Sequence, residues 1–356
     1  MKRVGYIFDK IVEMQNLEVA SRFASRGKRK RNDIKRFYKN RDENLANIQK
    51  MLIQKEYVPS PYTERVIKDG ANQKERRIYK PQFYPDQIIH WALMLQLEPI
   101  IMRGMYQYNC ASVEGRGIIY GMRYLKKILV KDRKNTKYCL KIDIKKFYPS
   151  INKEILKQKF QKKIKDKEVL WLINTIIDSN KEGLPIGNYT SQWFANFYLQ
   201  DLDHYIKEKL KVKYYIRYMD DIVLLSGNKK QLHKYLNLIK DFLNKDCLTV
   251  KENWQIFKIS ENRPIDFLGY RFYRGYITLR RRNFLRIRRR IKKIYKKEKL
   301  NYLDACAIVS YYGWIKHSDS YNYASKYMNP YVSFKRAKKF VSNYSKKNSV
   351  LMQWQI

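Results

Sequence analysis

The sequence predicts an α+β fold with an antiparallel sheet, and three observations carry that prediction. Helical and strand-like patterns mix along the chain without the regular βαβ alternation that builds a parallel sheet. The stretch Tyr214–Leu225, YYIRYMDDIVLL, sets two adjacent acids, Asp220 and Asp221, between two short β-branched and aromatic runs, which is the pattern of a buried hairpin. Two further apolar stretches, DQIIHWALMLQLEPI from Asp86 and QWFANFYLQDL from Gln192, read as buried helices.

Taken in order, residues 1 to about 60 read as helices with a basic break at Arg26–Arg31. Residues 62–80 are charged and strand-like around an expected turn at Lys68-Asp69-Gly70. Leu140–Phe147 reads as a strand that runs into a turn at Pro149. The hairpin is followed by an amphipathic helix around Lys230–Leu243. After Phe267-Leu268-Gly269-Tyr270 the chain becomes very basic. In Arg280–Lys297 eleven of eighteen residues are Lys or Arg, while Phe284, Ile287, Ile291 and Ile294 recur at helical spacing. That is one apolar stripe opposite a basic face. No internal repeat and no Pro- or Ser-rich linker interrupts the chain.

The net charge is +43, from 76 Lys+Arg against 33 Asp+Glu in 356 residues. So large a surplus makes a compact protein repel itself unless a polyanion neutralises it, and nucleic acid is the natural partner. An AT-rich genome accounts for part of the Lys, Tyr, Ile and Asn content, but not for the scarcity of acids or the Arg clusters. Cys110, Cys139, Cys247 and Cys306 are scattered without a CxxC pair, so neither a zinc site nor a disulfide framework is expected. The N-terminus reaches Asp9 and Lys10 before any long apolar run, and no run of about 18 uncharged apolar residues exists. No membrane span is expected, and a cytoplasmic location is. His90, His204, His233 and His317 lack metal-ligand spacing and read as structural.

Two carboxylates side by side on a rigid tip repel each other unless a cation lies between them, which makes Asp220 and Asp221 a candidate Mg²⁺ site. A third acid is needed from another strand. Asp143 supplies one from the middle of a strand pattern, where an acid is otherwise unfavourable. Asp143 with Ile144 beside it, Asp220 and Asp221 form the expected metal set, holding two ions roughly 4 Å apart. The plainer reading of Asp143 is a strand-end acid or one salt-bridged to Lys141 or Lys145.

These residues resemble a known family. LKIDIKKFYPSI, Leu140–Ile151, is similar to the first catalytic motif of reverse transcriptases, and Tyr218-Met219-Asp220-Asp221 is similar to their YxDD signature. The resemblance implies a right-hand polymerase: a helical extension over 1–60, fingers over 61–135, a palm over 136–272 with a fingers insertion around 152–182, and a thumb with basic region over 273–356. It makes Tyr148 a steric gate that excludes a 2′-hydroxyl; otherwise Tyr148 is an ordinary core tyrosine. KERRIYKPQFYPDQIIHWAL resembles the fingers motif, with Lys74, Arg76 and Arg77 as candidates to reach the triphosphate and Arg77 favoured. ASVEGRGIIYGM resembles the template-contacting segment, with Arg116 and Gly117 at its turn. Phe267, Leu268, Gly269 and Tyr270 resemble the primer grip, and Arg286, Arg289 and Arg290 lie on a thumb helix expected to track the duplex. A general-acid lysine is usual just before the primer grip; Lys251 and Lys258 are both candidates.

GLPIGNYTSQWFANFYLQDLD departs from the common form, with Ile186-Gly187 where most of the family has Gln before the glycine, and Ser191-Gln192 where most has Ser-Pro. The IGxxTSQ form resembles the reverse transcriptases of diversity-generating retroelements. Ile186, Gly187 and Gln192 are therefore expected at the nucleotide. An apolar contact in place of an amide discriminates weakly between isosteric groups, so looser copying is the expected direction, unless Ile186 merely packs the loop. The resemblance implies an RNA-directed DNA polymerase that copies a structured template RNA into cDNA with errors at adenines. It implies dNTPs, Mg²⁺ with Mn²⁺ as a substitute, and a basic oligomeric accessory protein. The alternative is an antiphage-defence or otherwise domesticated bacterial enzyme with its own noncoding RNA. A third reading, a non-catalytic RNA-binding scaffold, has no need to retain three costly acids.

Overall fold

Four helices fold from the first sixty residues of the computed structural model, which describes residues 3–69 and 74–353. They are α1 (Phe8–Val12), α2 (Met14–Ser25), α3 (Asn32–Lys39) and α4 (Arg41–Ile53). The basic run that separates α2 from α3 is a series of turns, as its charge density suggests. The start of α1 is held by a distant acid: the Asp166 carboxylate accepts the backbone N–H groups of Tyr6 (2.8 Å), Ile7 (2.5 Å) and Phe8 (3.3 Å). An anion there offsets the positive end of the helix dipole.

Strands β1 (Thr63–Asp69) and β2 (Lys74–Lys80) form an antiparallel ribbon in which Val66 faces Arg77 and Ile67 faces Arg76. Lys68 and Asp69, expected in the turn, belong to β1, and Gly70 lies outside the described residues. Helix α5 (Ile88–Met102) is apolar on every side and packs against α1, α2 and α10. Helix α6 spans Ile118–Lys131.

Strand β3 (Tyr138–Asp143) is shorter than expected. It ends at Asp143, which is its last residue rather than its middle. Ile144 makes a single bridge to Val250, Lys146 turns left-handed at φ 44°, and Phe147–Ser150 closes into a helical turn, α7. Pro149 cannot donate to a sheet ladder but fits a first helical turn, so the chain leaves the sheet here. Helices α8 (Lys153–Gln161) and α9 (Lys167–Asp178) follow. The buried helix expected over 192–202 begins earlier and is broken near Leu199 into α10 (Tyr189–Tyr198) and α11 (Gln200–His204).

The hairpin is β4 (Tyr214–Tyr218) and β5 (Asp221–Ser226), joined by Met219-Asp220. Helix α12 (Lys229–Lys245) turns Leu232, Leu236, Ile239 and Leu243 inward, and β6 spans Gln255–Lys258. The central sheet runs in the order β4-β5-β3-β6. A second, antiparallel sheet is built from β7 (Ile265–Phe267), β8 (Tyr270–Phe272) and β9 (Ile277–Leu279). Helices α13 (Arg281–Tyr295), α14 (Tyr302–Lys316), α15 (Tyr321–Tyr327) and α16 (Phe334–Gln353) complete the chain. The mixture of helices with antiparallel sheets is the predicted α+β class.

By contact the chain divides into two compact units. The first takes Met1–Arg116, Leu140–Leu224 and Lys230–Gln255; the second takes Gly117–Cys139, Leu225–Lys229 and Ile256–Ile356. The segment 61–135 is thus shared between them. Inside the second unit, the stripe of α13 buries Ile287, Ile291 and Ile294, while Phe284 is half-buried against Tyr323. No helix among the described residues is long and apolar enough to cross a membrane.

Candidate active site

The β4–β5 hairpin forms because both strands bury β-branched and aromatic side chains; in the turn Met219 is buried as well and Asp220 is half-buried. Met219 enters the turn with φ 52°, the left-handed region that side chains with a Cβ rarely adopt. Asp220 and Asp221 follow. Folding brings Asp143 to them from the end of β3. The Asp143 charge and its hydrogen bond to Asp220 both act on the Asp220 carboxyl. Burial first, and then that neighbouring charge, push Asp220 up to about 6, against the opposing charge of Lys251. A carboxyl whose proton affinity is raised by a neighbouring carboxylate marks a site that the two share.

Lysines compensate the acids. The Lys251 ammonium pairs with Asp143 Oδ1, and the Lys251 N–H donates to the Asp143 carbonyl at 2.8 Å. The Lys141 ammonium lies 3.6 Å from Asp221 Oδ1. Among the described residues no three His, Cys, Asp or Glu side chains converge as a ready metal cage. The donor chemistry nonetheless fits a hard divalent cation: the groups are carboxylate oxygens, and the surplus negative charge at Asp143 and Asp220 is what such an ion would neutralise. Lys258, the other candidate acid, is exposed on β6.

Tyr148 stands on α7 with its hydroxyl 3.8 Å from Met219 Sδ at the hairpin turn. Burial, and secondarily the Asp220 charge, push that hydroxyl up to about 12. Its backbone is gripped from below: the Leu184 N–H donates to the Tyr148 carbonyl at 2.9 Å. Gly183, at φ 47°, sits so close that a Cβ would lie 2.2 Å from that carbonyl oxygen. Position 183 admits glycine only.

The same holds at the Ile186-Gly187 loop. The Tyr79 N–H of β2 donates to the Ile186 carbonyl at 2.8 Å. Gly187 has φ 135°, and a Cβ on it would lie 2.2 Å from the Tyr79 oxygen. This joins the loop to the strand that carries Arg76 and Arg77, both exposed. The Lys74 side chain lies outside the described residues. The loop's far side is tied down by Asn188 Nδ2 to the Tyr62 hydroxyl (2.7 Å), which in turn meets Ser179 Oγ at 2.6 Å. Ile186 is half-buried, and Gln192 is exposed on α10. Arg116 donates to the Tyr106 carbonyl at 3.1 Å, and Gly117 caps α6.

In the second unit the picture differs from expectation. Phe267, Leu268 and Tyr270 are buried, so these side chains pack in the core. Gly269, at φ 85°, is pressed against Trp314, so that a Cβ on it would lie 2.6 Å from Trp314 Cζ3. Arg286 and Arg289 are exposed on α13, but Arg290 pairs with Asp304, which is fully buried and also receives Lys297. Arg290 is therefore engaged within the unit, because a buried carboxylate demands a cation. Of the histidines, His90 is buried with its pKa pushed down to about 3 by desolvation, and His204 pairs with Glu208.

One residue escaped the sequence reading altogether. Arg217, the last but one residue of β4, is fully buried beside Asp203. Its signal was a lone charge in an otherwise apolar strand run.

Residues 83–272 match the family described as "Reverse transcriptase (RNA-dependent DNA polymerase)". The chain is 31% identical over 197 residues to the retron Ec73 reverse transcriptase of Escherichia coli, covering 52% of this chain and 60% of that protein. It is 24% identical over 201 residues to the retron Se72 reverse transcriptase of Salmonella heidelberg (strain 579083-10), covering 55% and 50%. The chain thus spans roughly half to three-fifths of these relatives. Their names point to retrons rather than to diversity-generating retroelements. Among solved structures, apo telomerase from Candida tropicalis, truncated from its C-terminal domain, aligns with TM-score 0.46 at 13% identity, over 65% of this chain and 59% of that one.

Proposed function

This chain belongs to the reverse transcriptase (RNA-dependent DNA polymerase) family, and from that premise we propose that it copies an RNA template into cDNA from dNTPs, working with its own noncoding RNA. The observation that carries this is the meeting of Asp143 with Asp220 on the hairpin, with Lys251 seated on Asp143, all within or beside one turn of buried sheet. Asp143, the Ile144 carbonyl, Asp220 and Asp221 would hold two Mg²⁺ ions. Bound there, the ions supply charge neutralisation at the triphosphate and a more acidic primer 3′-hydroxyl. Arg77 on β2 draws the triphosphate toward the loop at Gly187, with Arg76 on the opposite face of the strand. Tyr148 closes the space under the sugar. Lys251 holds a proton for the departing pyrophosphate. Fingers, palm and thumb follow the 61–135, 136–272 and 273–356 division, and α13 holds the duplex through Arg286 and Arg289.

The sugar gate tests the core of this reading. On a primed RNA template the unmodified chain should extend with dNTPs and refuse NTPs, whereas Tyr148→Ala should accept NTPs at least about tenfold better, as loss of a steric block of a few kcal/mol requires. No extension by the unmodified chain would sink the polymerase reading, and unchanged selectivity in the variant would sink the gate.

One observation favours a second reading, in which copying is inaccurate and a basic oligomeric accessory protein takes part. Ile186 places an apolar, half-buried side chain where an amide is usual. Sequencing cDNA made on an adenine-containing template separates the two. Errors concentrated at adenines support the second reading; uniformly accurate copies leave the first, within which an antiphage or other domesticated role falls.

A further inference from the structure

We propose that Arg217 is a positioning residue that sets the acid-bearing turn of the β4–β5 hairpin, with Asp203 and Asn196 as its supports. The inference rests on the polymerase reading above and extends it to a residue outside the acids themselves. Arg217 is completely buried, and a guanidinium out of water is costly unless its N–H groups are matched. Here they are matched from three directions. Nε and Nη2 donate to the two oxygens of Asp203 at 2.8 and 2.5 Å. Nη1 donates to Asn196 Oδ1 at 3.1 Å and to the Met219 carbonyl at 3.2 Å.

Each support is itself fixed. The Tyr215 hydroxyl donates to Asp203 Oδ1 at 2.6 Å, and Asn196 Nδ2 donates to the Ala111 carbonyl at 2.8 Å. The Arg217 backbone is clamped as well, its N–H donating to the Tyr108 carbonyl at 3.1 Å and its carbonyl accepting from Cys110 N–H at 2.8 Å. The fork therefore has one adjustable task, and that is the Met219 carbonyl. Met219 is the residue held at φ 52°, a conformation that a side chain disfavours, and Asp220 comes next. A turn released from Arg217 would relax toward ordinary backbone angles and carry Asp220 away from Asp143. A planar fork can serve Asp203 and Met219 at once, whereas a lysine ammonium offers a single point and no fork.

The test uses the full chain and three readouts: thermal unfolding, Mn²⁺ affinity by electron paramagnetic resonance without nucleic acid or dNTP, and kcat with the dNTP KM. Arg217→Lys keeps the charge that Asp203 needs. It should unfold cooperatively near the wild-type temperature, bind Mn²⁺ about tenfold more weakly or worse, and lose kcat by a similar factor with the dNTP KM little changed, as outer-shell losses do. Arg217→Met with Asp203→Asn removes both buried charges together and should show the same losses. A folded variant of either kind with wild-type Mn²⁺ affinity and kcat overturns the proposal. Failure of both variants to fold also overturns it, since Arg217 would then serve the core alone. An unmodified chain that binds Mn²⁺ but incorporates no dNTP overturns the polymerase reading instead, and the Mn²⁺ comparison still decides the role of Arg217.

Discussion

Replacing Asp220 and Asp221 together by alanine should lower dNTP incorporation by roughly four orders of magnitude or more while RNA binding survives. Metal-assisted stabilisation contributes several kcal/mol to a transition state, and each 1.4 kcal/mol or so is tenfold in rate. The loss falls on chemistry alone because the turn is small and the charge that attracts RNA lies elsewhere, in a chain with a surplus of +43. Stability should not suffer. Burial and the neighbouring Asp143 charge both disfavour the charged form of Asp220. Removing Asp220 relieves that cost, so the melting temperature without divalent cations should stay level or rise. Single-nucleotide extension on a primed RNA template, filter binding of the same RNA and a thermal melt measure the three effects. Unchanged synthesis would remove these acids from the chemistry.

Lys251→Met should reduce the single-turnover rate by about a hundredfold or more, within the range of lost general acids, whereas Lys258→Met should leave it near wild type. The distinction comes from geometry: Lys251 pairs with Asp143, while Lys258 is exposed on β6. Lys251 could act merely as a counter-ion for Asp143, and Lys251→Arg separates the two roles. Arginine retains the positive charge but does not release a proton in proteins. A general acid is lost in both variants; a counter-ion is lost only in Lys251→Met. An arginine variant with full activity would assign Lys251 to charge balance.

Much of this site was legible because its signals are local. Short β-branched and aromatic runs on either side of Asp220-Asp221 sufficed for the hairpin, and a stripe every three or four residues sufficed for α13. The end of β3 was misplaced. Its continuation to Phe147 looks like a strand, and the left-handed Lys146 that ends it leaves no clear mark in composition. Phe267, Leu268 and Tyr270 were expected at the primer and are buried in the structure, where the Tyr270 hydroxyl donates to the Trp314 carbonyl, a partner 44 residues away that local sequence does not display. Arg290 shows the same effect with charge: a basic residue on a basic helix face was claimed by one buried acid, Asp304.

The sequence by itself determined the elements that carry chemistry: a turn with two acids, a third acid at a strand, glycines before and within the loop, and a basic amphipathic helix. These follow from periods of 2 and 3.6 residues and from charge, which each segment displays without its neighbours. The tertiary structure alone decided which of these groups meet. Lys251 meets Asp143 across 108 residues of chain, and Asp203 meets Arg217 by turning a helix end back onto a strand. Such pairings depend on how elements pack, because a buried charge accepts whichever partner the fold delivers and sequence distance places no limit on the choice. The acid-bearing hairpin is therefore written in twelve consecutive residues, but the lysine, the arginine and the tyrosine that surround it are chosen by the fold.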